Sequence, residues 1–101
     1  DLALPRYRAA IFINGCFWHG HDCGLFRLPG TRRDFWETKI TRNRQRDIEV
    51  KRLLSEAGWR QLTIWECAFR GAGKLGIART IELTGAWITG SASSAEIRGA
   101  A

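Results

Sequence analysis

The sequence predicts an α/β domain, because two apolar segments of strand character are separated by one long segment of helical character. Residues Tyr7–Ile13 and Trp59–Trp65 are rich in β-branched and aromatic side chains, which favours buried strands. Strand, helix and strand in this order form a βαβ-like unit. Two strands make an incomplete sheet, so we expect either further strands before residue 1 in the native protein or closure of the fold through a partner.

The helix between these strands is expected to begin near Asp34, where Glu37 three residues later completes a capping box. It follows a loop, Gly24–Thr31, that contains a Pro-Gly pair. Gly58 is a natural C-terminal stop, although the polar stretch Thr41–Arg46 permits a break. The sequence therefore predicts one long helix, or two consecutive ones, between the strands.

Beyond the second strand, a shorter helix is expected over about Lys74–Thr84, with Trp87 and Ile88 packing back onto the sheet. Residues Ser91–Ala101 are expected to form a mobile tail. We therefore assign residues 1–89 to the folded domain and residues 90–101 to a flexible C-terminal tail.

Length and charge limit the classes of function. A domain of 101 residues buries only about two-thirds of its unfolded surface, so a metal ion that holds segments together would matter. Sixteen Lys and Arg against ten Asp and Glu give a formal net charge of +6, which favours a polyanionic partner. No apolar run reaches the roughly 18 residues that span a bilayer, so we expect no membrane association.

A cluster of metal-capable side chains follows the first predicted strand. Both histidines and two of the three cysteines lie within residues 16–23, and the remaining cysteine, Cys67, follows the second strand. Thiolate and imidazole are the ligands that zinc prefers, and a structural zinc site takes four of them. One set is Cys16, His21, Cys23 and Cys67, and the other replaces His21 by His19. Spacing alone does not choose between them.

The cysteines have two alternative roles, both less favoured than metal binding. If they were small buried hydrophobes beside ordinary loop histidines, the close grouping of the histidines would have no cause. A disulfide would leave one of the three cysteines unpaired, and nothing at the N-terminus resembles a signal peptide. We therefore expect a reducing, intracellular compartment.

Basic residues concentrate in one part of the predicted helix. Residues 39–46 contain no acid and four bases, Lys39, Arg42, Arg44 and Arg46. Arg32 and Arg33 precede this segment. This segment is a candidate phosphate-contacting surface. A solvated helix face is an equally good interpretation, because the following acids Asp47, Glu49 and Glu56 can pair with neighbouring bases.

The aromatic residues divide into two groups. Trp36, Trp59 and Trp65 lie within predicted elements and are expected to be core residues. Phe17 and Trp18 lie in a polar loop beside the basic segment, where a core role is harder to arrange. Aromatics in such a setting stack on bases or wedge between them, and we therefore favour DNA contact for this pair.

Several short motifs occur in a definite order and at definite spacings along the chain. They are Asn-Gly-Cys-Phe-Trp-His-Gly-His-Asp-Cys at 14–23, Phe-Trp at 35–36, Asn43, Arg46-Asp47, Gly-Trp-Arg at 58–60 and Trp-Glu-Cys-Ala at 65–68. Over about residues 1–72 the chain resembles the very short patch repair (Vsr) mismatch endonucleases. The resemblance implies a restriction-endonuclease-like α/β fold, with a mixed sheet flanked by helices and a structural zinc. It also implies Mg²⁺-dependent nicking of DNA on the 5′ side of the thymine in a T:G mismatch.

The resemblance also implies roles for individual residues. The zinc ligands would be Cys16, His21, Cys23 and Cys67, and His19 would be the general base. Asp1 lies where the family holds its magnesium-binding aspartate, and Asp47 matches a supporting acid. The catalytic residues implied are thus Asp1, His19 and Asp47, and the DNA-binding residues are Phe17 and Trp18, with Arg42, Arg44 and Arg46 from the basic segment.

From the resemblance we also expect a monomer that acts on double-stranded DNA in the bacterial cytoplasm, with mismatch-repair proteins as partners. For Asp47, pairing with Arg44 or Lys51 on the same helix is the simpler alternative role. For Asp1, the alternative is a disordered terminus.

The sequence also departs from the family. Asn14 stands where well-known members carry histidine, and asparagine cannot transfer protons, so we expect reduced turnover. Ile13 replaces a threonine. The family's N-terminal region has no counterpart before Asp1, so the chain is expected to be a fragment or the product of a shortened gene. A nuclease with another DNA target and a non-catalytic zinc module that binds DNA are therefore the alternative functions.

Overall fold

The structure is a computed structural model that describes residues 1–100. Four strands form one sheet, β1 (Leu2–Leu4), β2 (Ala9–Asn14), β3 (Arg60–Trp65) and β4 (Ser94–Ile97), and two helices cover it, α1 (Arg33–Glu56) and α2 (Ile77–Thr89). The strand order is β1-β2-β3-β4, with β1 antiparallel to β2 and the other neighbours parallel. The protein is therefore an α/β domain with a mixed sheet, which confirms the predicted class.

The core lies between the sheet and α2. Alternate residues of the central strands point to this side, and they pack with residues from the loop after β3, from α2 and from β4: Ala9, Ile11, Leu62, Ile64, Ala68, Trp87 and Ile97. On the opposite face α1 contacts β3. Of the residues of α1, all described by the structure, only Ile40 is buried. The long helix therefore keeps most of its surface available for other contacts.

The predicted βαβ unit is confirmed, with small changes at its ends. Helix α1 is continuous through Thr41–Arg46, so the predicted break does not occur. It begins at Arg33, which places Asp34 in the first turn, where its charge favours the positive end of the helix dipole. The predicted capping box is therefore not formed. Helix α2 runs later than predicted, because Gly76, with φ of 96°, precedes it, and Trp87 and Ile88 lie inside it.

The C-terminal segment differs from the prediction of a mobile tail. Residues Ser94–Ile97 pair in parallel with Gln61–Ile64 of β3, and the side chain of Ile97 is buried in the core. Arg98 then forms an ion pair with Asp22 in the loop after β2. Because these contacts join distant parts of the chain, no local pattern indicates them. Ala101 lies outside the described residues.

The sheet also contains more strands than the sequence predicts. Leu2–Leu4 forms an edge strand beside β2, and its three residues are too few for a recognisable strand pattern. The sequence predicts two strands within the chain, and residues 1–100 contain four. In the same residues, no helix combines the length and the apolarity needed to cross a membrane.

Candidate functional site

The site lies at the carboxyl ends of the two central strands. Asn14, the last residue of β2, is in register with Trp65, the last residue of β3. The loop after β2, residues 15–23, therefore begins beside the short 3₁₀ turn that follows β3 and contains Cys67. Because parallel strands end at the same edge of a sheet, two distant segments can supply side chains to one site.

One group of four side chains could hold a metal ion. The ligand atoms of Cys16, His21, Cys23 and Cys67 all lie within 4.8 Å of one another. Nδ1 of His21 lies 3.5 Å from Sγ of Cys16 and 3.6 Å from Sγ of Cys67. Three of the four residues are buried. The fold thus gathers one of the two ligand sets that spacing left open, and His19 lies outside it.

Burial shifts the pKa of two members of this group, Cys16 and His21. Desolvation is the main cause that raises the pKa of the Cys16 thiol to about 12, and the side-chain hydrogen bond with Cys23 adds to the rise. The pKa of His21 is lowered, first by burial and then by the positive charge of Arg98. A neutral imidazole is ready to coordinate a metal, whereas the Cys16 thiol, with its raised pKa, needs a nearby cation to become a thiolate. This donor set therefore suits a soft or borderline cation.

The indole of Trp65 forms one wall of the metal site. Its ring stacks on that of His21, with centroids 3.9 Å apart and an angle of 4° between the planes. Its Nε1–H donates to Oε1 of Glu96 in β4 at 3.2 Å. The ring of His19 also approaches the same indole, edge-on, at 6.1 Å. Trp65 is therefore a core residue, as predicted, that contacts both histidines.

His19 has a different partner from His21. Its Nδ1 lies 2.5 Å from Oδ2 of Asp47 on α1, and both side chains are about one-quarter exposed. Within the described residues, Asp47 forms no ion pair with Arg44 or Lys51, so the simpler pairing considered from the sequence is not what the structure contains. The contact joins the loop after β2 to α1 and leaves His19 beside solvent.

Gly20 allows the two neighbouring histidines to face different surroundings. Its φ of 60° is in the left-handed region, and a Cβ atom there would lie 2.8 Å from Cγ2 of Ile40. The chain therefore turns sharply while it passes close to α1. His19 on one side of this turn meets Asp47, and His21 on the other side enters the metal group.

A cleft beside the His19–Asp47 pair contains two basic side chains and the carboxylates of Asp22 and Asp47. Arg44 and Lys51 line it from α1, and Trp65 lines it from β3. A smaller adjoining cleft contains Asn14, Arg46, Asp47 and Lys51. Lys51 thus lies where the two clefts meet. Local sequence indicates Lys51 only as a partner of Asp47, because the other residues that line the clefts, from β2, the loop after it and β3, are distant along the chain.

Asp1 occupies a different position from the other predicted catalytic residues. It precedes β1, and its Oδ2 accepts a hydrogen bond from the backbone N–H of Ile13 at 2.8 Å. Within the described residues, no hydrogen bond or ion pair joins Asp1 to His19 or Asp47. The carboxylate therefore lies against β2, the strand that leads into the site loop.

Phe17 and Trp18 belong to an aromatic cluster beside the site. The ring of Phe17 lies 5.3 Å from that of Trp18 and 5.4 Å from that of Trp36, and Trp18 lies 5.7 Å from Trp36. Trp18 remains 48% exposed despite these contacts. Trp36, predicted to be a core residue, is only partly buried and supports the pair from α1. The cluster thus holds an exposed indole at the surface.

Asn43 fixes the position of this loop relative to α1. Its Nδ2 donates to the backbone carbonyl of Trp18 at 2.9 Å. Arg42, Arg44 and Arg46 on the same helix are exposed, and within the described residues they form no ion pairs. The acids that follow are engaged elsewhere, since Glu49 and Glu56 both pair with Arg52. The basic segment therefore presents charge that is not neutralised within the protein.

Comparison with known proteins gives two kinds of match. The family model described as DNA mismatch endonuclease Vsr matches residues 1–25. The DNA mismatch endonuclease Vsr of Escherichia coli (strain K12) is 46% identical over 97 residues, which cover 96% of this chain and 62% of that protein.

Two similar proteins carry the name type II nicking enzyme. V.XorIIP of Xanthomonas oryzae is 41% identical over 74% of this chain and 55% of its own length. V.NmeAIP of Neisseria meningitidis is 40% identical over 69% of this chain and 50% of its own length. The chain thus spans between half and two-thirds of the length of these relatives. Together with the family model, they confirm that this chain resembles the Vsr DNA mismatch endonucleases.

Proposed function

We propose that this chain carries the active site of a Vsr-like DNA endonuclease, which nicks one strand 5′ of the thymine in a T:G mismatch. The contact between His19 and Asp47 is the observation that carries the proposal. Similarity to a DNA mismatch endonuclease over 96% of the chain supports the same reaction class. The restriction-endonuclease-like fold is part of this proposal, and a mixed sheet with helices on both faces agrees with it.

His19 is proposed as the general base. Because Nδ1 faces the carboxylate of Asp47, the proton of the neutral ring resides on Nδ1 and Nε2 is left to accept another. Nε2 would take a proton from water as the water oxygen bonds to phosphorus and a phosphate ester bond breaks. Asp47 would orient the ring and stabilise the imidazolium that results, as carboxylates do in comparable pairs.

Asp1 is proposed to hold the catalytic Mg²⁺. Carboxylate oxygen is a preferred ligand of this ion, which when bound stabilises negative charge on phosphate oxygens. Only one oxygen of Asp1 accepts the Ile13 N–H, so the carboxylate keeps lone pairs for a cation. Asn14 offers an amide in place of a proton-transferring imidazole, from which we expect slower turnover than a histidine at this position would give.

The group of Cys16, His21, Cys23 and Cys67 is proposed to bind structural zinc. With Zn–S near 2.3 Å and Zn–N near 2.05 Å, a tetrahedron separates sulfur and nitrogen ligands by about 3.6 Å. The two separations measured from Nδ1 of His21, 3.5 and 3.6 Å, fit this value. Four protein ligands leave no position for water, so the role of this metal would be to hold the loop against β3.

DNA is proposed to lie along α1 and the site loop. Arg42, Arg44 and Arg46 would contact phosphates, and the exposed Trp18, with Phe17 behind it, would insert beside the mismatch. Arg44 and Lys51 in the cleft would attract the scissile phosphate. We propose a monomer on DNA, with mismatch-repair proteins as partners and the bacterial cytoplasm as its compartment.

Nicking at a different DNA target is the second candidate function. Several similar proteins are named type II nicking enzymes, and the aromatic pair indicates base insertion without identifying the base pair. The catalytic residues would be the same in this case. The third candidate, a DNA-binding module without activity, is favoured only by Asn14.

The direct test uses the zinc-loaded chain and two duplexes that differ only at one base pair, T:G or C:G. Each is incubated with and without Mg²⁺, and the Asp1→Asn variant serves as a control for the magnesium ligand. We expect a nick on the thymine strand of the T:G duplex that requires both Mg²⁺ and Asp1. Equal cleavage of both duplexes would support the second candidate, and binding without cleavage would support the third.

A further inference from the structure

The segment after β4 contacts one member of the group of Cys16, His21, Cys23 and Cys67, and it also contacts Asp22, the residue beside His21. Arg98 donates from Nη1 to Oδ1 of Asp22 at 2.6 Å and from Nη2 to the carbonyl of Asp22 at 3.2 Å. The backbone N–H of the next residue, Gly99, donates to Sγ of Cys67 at 3.4 Å. Of two consecutive residues, Gly99 thus contacts a member of the group and Arg98 contacts the neighbour of another member.

The first contact acts through His21. Since Nδ1 of His21 faces the sulfur atoms, its Nε2 carries the proton, and this nitrogen lies 3.5 Å from Oδ1 of Asp22. A carboxylate near the outer nitrogen of a metal-binding histidine fixes the ring and strengthens it as a ligand. Asp22 is itself 83% exposed and would otherwise be free to move. Arg98 holds it by two hydrogen bonds.

The second contact acts through Cys67 and leaves no room for a side chain. A Cβ atom on Gly99 would lie 2.2 Å from the carbonyl oxygen of Cys67 and 2.8 Å from that of Gly73. The next residue, Ala100, donates its N–H to the carbonyl of Gly73 at 2.8 Å, which keeps the segment in this position. An N–H that points at a thiolate stabilises its negative charge. The close approach is therefore suited to support a bound cation.

We propose that Asp22, Arg98 and Gly99 are positioning residues of the metal site: Arg98 holds Asp22 against His21, and Gly99 stabilises the Cys67 thiolate. This inference rests on the proposed metal site and goes beyond it, because it assigns a metal-supporting role to the C-terminal segment. The end of β4 thus helps to fix the loop that carries His19.

The test measures zinc affinity by competition with a chelator of known affinity. Gly99→Ala is compared with Gly30→Ala, where a Cβ would meet nothing within 4 Å. Arg98→Ala is compared with Arg79→Ala, which removes an ion pair with Glu82 on α2. We expect about a 10- to 100-fold loss of affinity for Gly99→Ala and about a tenfold loss, at the low end of this range, for Arg98→Ala, since Asp22 is exposed. Both controls should stay within twofold of the parent chain.

A second readout separates support of the ligands from a general loss of stability. With Co²⁺ in place of Zn²⁺ at saturating concentration, the thiolate-to-cobalt absorption band should move to longer wavelength in Gly99→Ala, because a thiolate without its N–H donor gives up electron density more easily. If Gly99→Ala does not fold, Arg98→Ala still tests the proposal.

The proposal would be overturned if Arg98→Ala bound zinc with the affinity of the parent chain and if a folded Gly99→Ala also kept that affinity and the absorption band of the parent. Absence of zinc binding by the parent chain is a different result, which would instead remove the metal site from the proposed function.

Discussion

His19 and His21 are two residues apart on one loop, yet they differ in burial and in the group that faces Nδ1. His21 is 7% exposed, stacked on Trp65, and faces sulfur atoms with Nδ1. His19 is about one-quarter exposed and faces the carboxylate of Asp47 with the same atom. The comparison indicates that burial and the partner of Nδ1, and not residue type, distinguish the two rings, for which we propose metal binding and proton transfer.

The turn between them makes this division possible. Gly20 in the left-handed region reverses the direction of the loop within one residue. One histidine is then held by β3 and the 3₁₀ turn after it, and the other is held by α1. A structural metal and a reactive base can thus share one loop. Substitutions can separate their effects, and the largest effect is expected from loss of the metal.

Removal of the metal should have the largest effect. Structural zinc contributes about 10 kcal/mol or more of apparent folding free energy in small domains. We expect Cys67→Ala, or chelation of the parent chain, to abolish the cooperative thermal transition followed by circular dichroism. Ser55→Ala, exposed on α1, is the control and should melt like the parent. A metal-free chain with the melting temperature of the zinc-loaded chain would contradict the assignment.

Asp47→Asn should affect the reaction and spare the metal. Loss of the carboxylate removes the group that orients His19, and we expect nicking to fall by about a hundredfold or more. Zinc content should stay at the parent level. Glu49→Gln, two residues along the same helix, is the matched control and should nick normally. Single-turnover rates on the T:G duplex provide the measurement, and a rate within threefold of the parent would show that Asp47 is dispensable.

Trp18→Ala should act on DNA recognition. Stacking of an aromatic side chain on a base contributes about 1–3 kcal/mol, so we expect the Kd for the T:G duplex to rise by roughly tenfold or more. Phe35→Ala, at the edge of the same aromatic cluster and 45% exposed, is the control for its packing. Equal losses for the T:G and the fully paired duplex would argue against insertion at the mismatch.

Arg44→Gln should have the smallest effect. Each phosphate contact contributes about 0.9 to the slope of log affinity against log salt concentration, so this variant should lower the slope by about one. Arg79→Gln on α2 removes the same charge from outside the proposed interface. If both variants change the slope equally, net charge and not the basic segment of α1 governs DNA binding.

The sequence predicts the parts of the fold whose signals are local. β2, α1 and β3 follow from apolar composition and helical periodicity within continuous segments. β1 and β4 have three and four residues, and their pairing partners lie elsewhere in the chain. The end of β4 is stabilised by Arg98 and Gly99, whose partners Asp22 and Cys67 are distant in sequence. The local pattern of residues 90–101 therefore indicates a tail, whereas tertiary contacts stabilise a strand at Ser94–Ile97.

The candidate site shows the same division. The concentration of histidine and cysteine in residues 16–23 is enough to predict a metal site, but spacing permits either histidine as the ligand. The choice depends on the register between β2 and β3 and on the turn at Gly20, which are properties of the fold. The sequence does not indicate the position of Lys51 in two clefts for the same reason, because the β2 and loop residues that line them are distant in sequence.

The most direct test of the separation of roles compares His19→Ala with His21→Ala in zinc stoichiometry and in single-turnover nicking of the T:G duplex. We predict that His19→Ala retains one zinc per chain and its thermal transition but loses nicking, by about 10²- to 10⁴-fold. His21→Ala should lose zinc and, with it, the fold of the loop and the activity. Nicking at the parent rate by His19→Ala would contradict the proposed role of His19 as general base. Full zinc binding by His21→Ala would contradict the proposed role of His21 as a zinc ligand.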